Sequence, residues 1–121
     1  MFLYASYCKP CTAALPLIRA DYERYRGRVR FVAIDVYEDA ETASRVLAEL
    51  PFESAFFSAK AIDALVSPDE QLRRGTFRIP ADIVVDAHGI VRASWRGAQE
   101  LPDGTLRDPL PAALAAIGIA P

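Results

Sequence analysis

The chain opens on an unbroken apolar run, Phe2-Leu3-Tyr4-Ala5, the pattern of a strand buried on both faces. A helix is predicted from Pro10 to Tyr25, where Cys11, Leu15, Ile18, Tyr22 and Tyr25 recur at helical spacing and paint one face. Arg19, Glu23 and Arg26 fall off that face, and Gly27 suits a C-terminal stop. Pro16 lies inside the helix, where it removes one backbone bond and is expected to bend the axis. Val29 to Val36 is half alternating and β-branched, a second strand. A connection through Glu38 and Asp39 leads to a helix with Ala43, Val46, Leu47 and Leu50 inward. Pro51 to Phe77 carries the weakest pattern. PFESAFF reads as a short edge strand, Ser58 to Val66 as a helix, and Pro68 to Arg74 as a further turn or two stopped by Gly75. Phe52, Phe56 and Phe57 read as core packing. Asp82 to Asp86 is a strand, Ala87-His88-Gly89 turns it, and Ile90 to Trp95 returns antiparallel. A last helix has Asp108 as cap, Pro109 at its first position, Leu110, Leu114 and Ile117 inward, and Gly118 as stop.

This order, β-α-β-α-irregular-β-β-α, predicts an α/β fold. The first two strands are parallel through a right-handed crossover, and the last two form a hairpin. The economical result is a mixed four-stranded sheet flanked by helices on both faces, in a single domain over residues 1–121. The composition agrees: 121 residues, 52% hydrophobic and 25% charged, suffice for one core. A net charge of −2 argues against a chain built to grip nucleic acid. No apolar run approaches the roughly 20 residues of a membrane-spanning helix. A buried strand starting at Met1 is unusual, so sequence upstream of it is expected.

The chemistry centres on Tyr7-Cys8-Lys9-Pro10-Cys11, at the handover from first strand to first helix. Two cysteines are too few for a disulfide-stapled scaffold. Cys8 falls at the helix N-terminus, where unpaired N–H groups and the macrodipole favour a thiolate. A dipole effect of about 0.5–2 kcal/mol is worth about one pKa unit on a thiol of ~8.5. Lys9 acts in the same direction, and Pro10 fits a first turn that needs no N–H. Cys11, one turn on, faces the same side at a Cα separation of roughly 5–6 Å, within disulfide range. Cys8 can therefore attack a partner disulfide, and Cys11 can resolve the mixed disulfide.

Other readings are weaker. A staple closing so short a loop stabilises little. Zinc needs four ligands, and only His88 could join the cysteines; that histidine reads as a surface turn residue. Two thiolates suit a soft ion such as Cu(I) better, which leaves a binding or metal-carrying module as the alternative function. Asp35, Glu38, Asp39 and Glu41 read as solvated charges favouring a helix N-terminus rather than a cation site. Trp95 reads as core.

Leu3-Tyr4-Ala5-Ser6-Tyr7-Cys8-Lys9-Pro10-Cys11, Pro16 in the same helix, and Ile79-Pro80 before a strand ending Asp86-Ala87-His88-Gly89 together resemble the thioredoxin superfamily. The fit is best to its TlpA-like branch of bacterial thiol–disulfide oxidoreductases, and covers the chain apart from Pro51 to Val66. The resemblance implies a thioredoxin-like fold, N-terminally truncated relative to larger members. It implies a cis Ile79-Pro80 bond facing the sulfurs, with neighbouring backbone groups left free to pair with a substrate strand. Cys8 and Cys11 would be catalytic; Tyr7, Lys9, Pro10, Ile79 and Pro80 would contact substrate. Gly97 would match a glycine that lets a loop approach the site. No metal and no dissociable cofactor are implied, because the cysteine pair carries the electrons. Partners would be protein thiols or disulfides and a redox partner that recycles the pair. The compartment implied is the bacterial cell envelope or periplasm, with the cytoplasm as alternative and a membrane tether only through upstream sequence.

Three positions depart from the family. The strand before the motif has Phe2 where thioredoxins bury an acid. Ala14 stands where TlpA-like reductases often have glutamate, and Arg78 where a glycine usually precedes the cis proline. The group that takes the proton from Cys11 is thus not identified. Lys9 and Arg78 lean towards an oxidising pair, whereas the resemblance leans towards reduction or cytochrome maturation.

Overall fold

The computed structural model describes residues 1–57, 79–97 and 99–121. The elements are β1 (Phe2–Tyr4), α1 (Lys9–Tyr25), β2 (Val32–Val36), α2 (Ala40–Leu47), β3 (Glu53–Phe57), β4 (Ala81–Val85), β5 (Val91–Arg96) and α3 (Leu110–Ala115). The strands form one sheet in the order β3-β2-β1-β4-β5. β1 pairs with β2, and β2 with β3, in parallel; β4 runs antiparallel to both β1 and β5. The sheet therefore has five strands rather than the four expected. The fifth is the edge strand read at PFESAFF, here β3, which adds to the open edge of β2 in the register Asp35↔Phe56.

β1 sits at the centre of the sheet with Phe2, Leu3 and Tyr4 all buried, as its unbroken apolar run requires. Phe2, Tyr4 and Ala33 pack with Cys11, Ala14 and Ile18 of α1 and with Ala43 and Leu47 of α2. Leu3, Ile34, Val36 and Ala81 cluster together, the other side of the pleat. α3 closes over Tyr25 and Val84 with Leu114, beside the half-buried Trp95. The helices of the described residues thus share one sheet face. The helical segments expected at Ser58 to Val66 and Pro68 to Arg74 lie outside the described residues, as does Arg78.

Local chemistry sets the boundaries. α1 runs through Pro16 without interruption and ends before Gly27, whose φ is 77°. β2 begins at Val32 rather than Val29, because the Arg28 and Val29 N–H groups bond back to the Tyr25 carbonyl and finish the helix. α3 starts one residue after Pro109, and Asp108 still accepts from the Leu110 N–H. The buried stripe of α1 is Cys11, Ala14, Ile18, Asp21 and Tyr25, with Leu15 and Tyr22 only half-buried. This stripe is rotated from the apolar one read in the sequence, because close packing on the sheet favours small Ala14 and also takes in Asp21. Phe52 joins Tyr22 and Phe31 in the core, but Phe56 on the β3 edge is exposed.

Candidate functional site

Cys8 is the N-cap residue of α1, with φ −80° and ψ 104°. Its Sγ accepts the Cys11 N–H at 3.3 Å, so the sulfur takes the place that a serine or aspartate oxygen holds in an ordinary cap. The two sulfurs form a disulfide with Cα atoms 5.2 Å apart. Cys8 remains partly exposed while Cys11 is sealed in the core. This asymmetry makes Cys8 the sulfur a partner can reach.

The strand that follows the undescribed segment supplies the opposing wall. The Ile79–Pro80 peptide is cis, Pro80 is buried, and the Ile79 carbonyl oxygen lies 3.9 Å from Cys8 Sγ. The Pro80 carbonyl accepts the Gly97 N–H at 2.7 Å. Gly97 has φ 77°, and a Cβ built there would meet nothing within 4 Å. Gly97 thus occupies left-handed space where β5 ends, and its N–H brings that loop against Pro80. Tyr7, Lys9 and Pro10 surround the disulfide on the solvent side, and Tyr7 is 63% exposed. The structure thus gathers Tyr7, Cys8, Lys9, Pro10, Cys11, Ile79 and Pro80 in one place. His88 sits exposed in the β4–β5 turn.

The acidic stretch after β2 departs from the sequence reading. Asp39 caps α2 by accepting the Thr42 N–H, and Glu41 is exposed, as solvated helix-start charges should be. Asp35 is instead fully buried, and Glu38 half-buried. Glu38 Oε1 accepts the Ser6 N–H at 3.0 Å and also the Ser6 hydroxyl. Asp35 pairs with Glu38, and among the described residues nothing else donates to either Asp35 oxygen. Burial and the facing Glu38 push Asp35 up to about 8. Burial alone would raise Glu38 too, but Asp35, the Ser6 bonds and the nearby Tyr7 N–H hold it below the usual glutamate range. The buried Tyr4 hydroxyl is pushed up to about 12 by burial, with Asp35, Glu38 and Glu49 adding to it. The sequence did hold a signal for Asp35: alternation along VAIDV puts it on the face of Ala33, in a strand apolar on both sides.

Among the described residues no group of three or more His, Cys, Asp or Glu side chains is arranged to hold a metal ion, and no helix is long and apolar enough to cross a membrane. No family model matches the sequence, and no curated protein matches it. A crystal structure from Chlorobium tepidum, described as a thiol:disulfide interchange protein DsbE, is similar in fold. The likeness has a TM-score of 0.61 at 22% identity and covers 95% of this chain and 75% of that one. With its mixed sheet, the cysteine pair at the first helix tip and the opposing cis proline, the chain has a thioredoxin-like fold.

Proposed function

We propose that the protein is a thiol–disulfide oxidoreductase acting on protein cysteines. In the reducing direction the Cys8 thiolate attacks one sulfur of a target disulfide. A mixed disulfide forms and the other target sulfur leaves as a thiolate, which takes a proton from water. Cys11 then loses its proton to water and attacks Cys8 Sγ as a thiolate, restoring the Cys8–Cys11 disulfide and releasing the second target sulfur as a thiolate that takes a proton from water. Two electrons and two protons pass to the target. The oxidising direction is the reverse, beginning with a target thiolate on Cys8 Sγ. No dissociable cofactor enters either sequence.

The observation that supports this reading most is the placement of Cys8. It caps α1, stays partly open to solvent, bonds to a buried cysteine one turn on, and lies against the backbone of Ile79 beside Pro80. Exposed Tyr7, Lys9 and Pro10 would meet the target, with the Ile79 and Pro80 backbone shaping its cleft. The name carried by the Chlorobium tepidum structure points to the same chemistry, and to protein thiols or disulfides as partners. A second redox protein would recycle the pair. We place the activity in the cell envelope, where disulfide exchange on exported proteins takes place.

Cys8→Ser is expected to abolish reduction of an insulin-type disulfide while leaving the fold intact by circular dichroism. Cys11→Ser is expected to stop turnover after one event and to accumulate a mixed disulfide visible by mass spectrometry. Unchanged insulin reduction by the Cys8→Ser protein would overturn the assignment.

A further inference from the structure

We propose that Asp35 and Glu38 form a proton-sharing clamp on the turn that carries Cys8, so that the state of the clamp positions the attacking sulfur and tunes its ionisation. This rests on the reading of Cys8 as the attacking thiol.

The geometry is specific. Asp35 is fixed in the middle of the sheet, opposite Tyr4 of β1 on one side and Phe56 of β3 on the other. Glu38 lies on the loop beyond β2 and reaches across to β1's outgoing turn, where its Oε1 accepts from the Ser6 N–H and the Ser6 hydroxyl. Ser6 stands two residues before Cys8. Two carboxylates cannot hydrogen-bond to each other unless one carries a proton. Asp35 is the member to hold it, because it is sealed from water and has no other donor, whereas Glu38 has two from Ser6. With the proton in place, the pair carries a single negative charge and the turn is held.

Losing that proton would set two like charges against each other in the sheet. The groups that face Asp35 are Tyr4 from β1, Glu38 and Asp39 from the loop after β2, with Glu49 reaching the same region through Tyr4. Each adds negative charge or none. Glu38, half-exposed and on a loop, is the partner free to swing away, and in doing so it would release Ser6. Cys8 would thus sense a titration belonging to neither cysteine. A thiolate on Cys8 and a carboxylate on Asp35 disfavour each other, so their titrations are linked.

The test uses the full chain with Cys11→Ser, which leaves Cys8 as the sole thiol. The rate of Cys8 alkylation by iodoacetamide is followed against pH, a measurement that needs no turnover. Two inflections are expected, one for the Cys8 thiol and one on the alkaline side of neutrality for Asp35. Asp35→Asn gives Glu38 a permanent donor and Glu38→Gln gives Asp35 one. Each keeps a bonded pair with one negative charge, and each is expected to collapse the profile to a single inflection. Glu38→Ala removes the acceptor for Ser6 and is expected to change the rate several-fold throughout, an effect that Glu38→Gln rescues. A single inflection in the parent, or two in Asp35→Asn, overturns the clamp; circular dichroism establishes that each variant is folded. Failure of the redox reading would show separately, as absence of disulfide exchange by the chain with both cysteines.

Discussion

Among the described residues, two pairs of carboxyl groups face each other, built alike and compensated differently. Near the far end of α1, Asp21 faces Asp108, which introduces α3; at the motif end, Asp35 faces Glu38. In each pair one member is almost wholly buried, at 1% exposure for Asp21 and 0% for Asp35, and its oxygens have no other donor among the described residues. The far pair has a cation. The Arg24 guanidinium lies 3.5 Å from Asp21 and 3.7 Å from Asp108, bridging them from the solvent side. The motif pair has the backbone and hydroxyl donors of Ser6 in its place. A mobile cation can follow a change in charge without moving the chain, whereas backbone donors cannot. The far pair is therefore a staple between α1 and α3, while a proton lost from the motif pair must be answered by the turn next to Cys8.

The largest effect expected at the far end comes from packing rather than from the staple. Leu114 of α3 is 1% exposed between Tyr25 and Val84. Leu114→Ala is expected to cost about 2–5 kcal/mol in denaturant unfolding, as buried leucine truncations do. Asp21→Asn retains a donor to Asp108 and is expected to cost less. The opposite ranking would make the carboxyl pair, not apolar burial, the main attachment of α3.

The next effect is a pH dependence. Burial and the facing Asp108 push Asp21 up to about 7, with Arg24 pulling the other way. A carboxyl whose folded value lies above its unfolded one holds its proton more tightly when folded. Its contribution to stability is full below its unfolded value of 3.8 and is lost as pH rises through about 7. Asp35 follows the same sign, and so does Asp82, which burial pushes up to about 6 against the pull of the Met1 ammonium and Trp95. Stability should therefore fall from mildly acidic to mildly alkaline pH. Asp21→Asn should flatten part of that fall, and Asp35→Asn another part. Thermal unfolding across this range, parent against each variant, checks both; an unchanged slope in Asp21→Asn would mean that Asp21 is not protonated in the fold.

Why these acids escaped the sequence reading is a matter of what periodicity registers. The motif was legible because Cys8, Pro10 and Cys11 obey helix-terminus rules that act within one turn, and the helix stop at Gly27 is equally local. The parallel pairing of β1 and β2 followed from the crossover. The buried stripe of α1 is not legible from apolar spacing alone: Asp21 lies at the correct spacing from Ile18 and Tyr25 but looks like a surface charge. Asp35 stands close in sequence to Asp39 and Glu41, although a strand and a helix cap impose opposite environments. The edge strand read at PFESAFF is present as β3, but ESAFF lacks clean alternation, and its place in the sheet comes from the ladder with β2, which no local pattern reveals. The identity of the resolving cysteine's proton acceptor depends on tertiary neighbours and was never readable from spacing.

The smallest effect separates charge from structure at the motif end. Asp39 caps α2 through the Thr42 N–H and hydroxyl, and these bonds hold its carboxyl below the usual range, so it is ionised when Asp35 titrates. Its charge is one of those that raise Asp35. Asn caps a helix about as well as Asp, so Asp39→Asn should leave stability nearly unchanged, while Asp39→Ala should cost about 1 kcal/mol. If Asp35 responds to charge, Asp39→Asn must nevertheless move the alkaline inflection of Cys8 alkylation towards neutrality, because one repulsion that kept Asp35 protonated is gone. The shift should be modest, since Asp39 is exposed and water screens it. Raising the salt concentration should shrink the difference between parent and Asp39→Asn without erasing the inflection itself, which buried Asp35 and Glu38 generate together. An inflection that vanished with salt would instead assign it to exposed charges around Lys9, and the contrast between the two carboxyl pairs would lose its motif-end half.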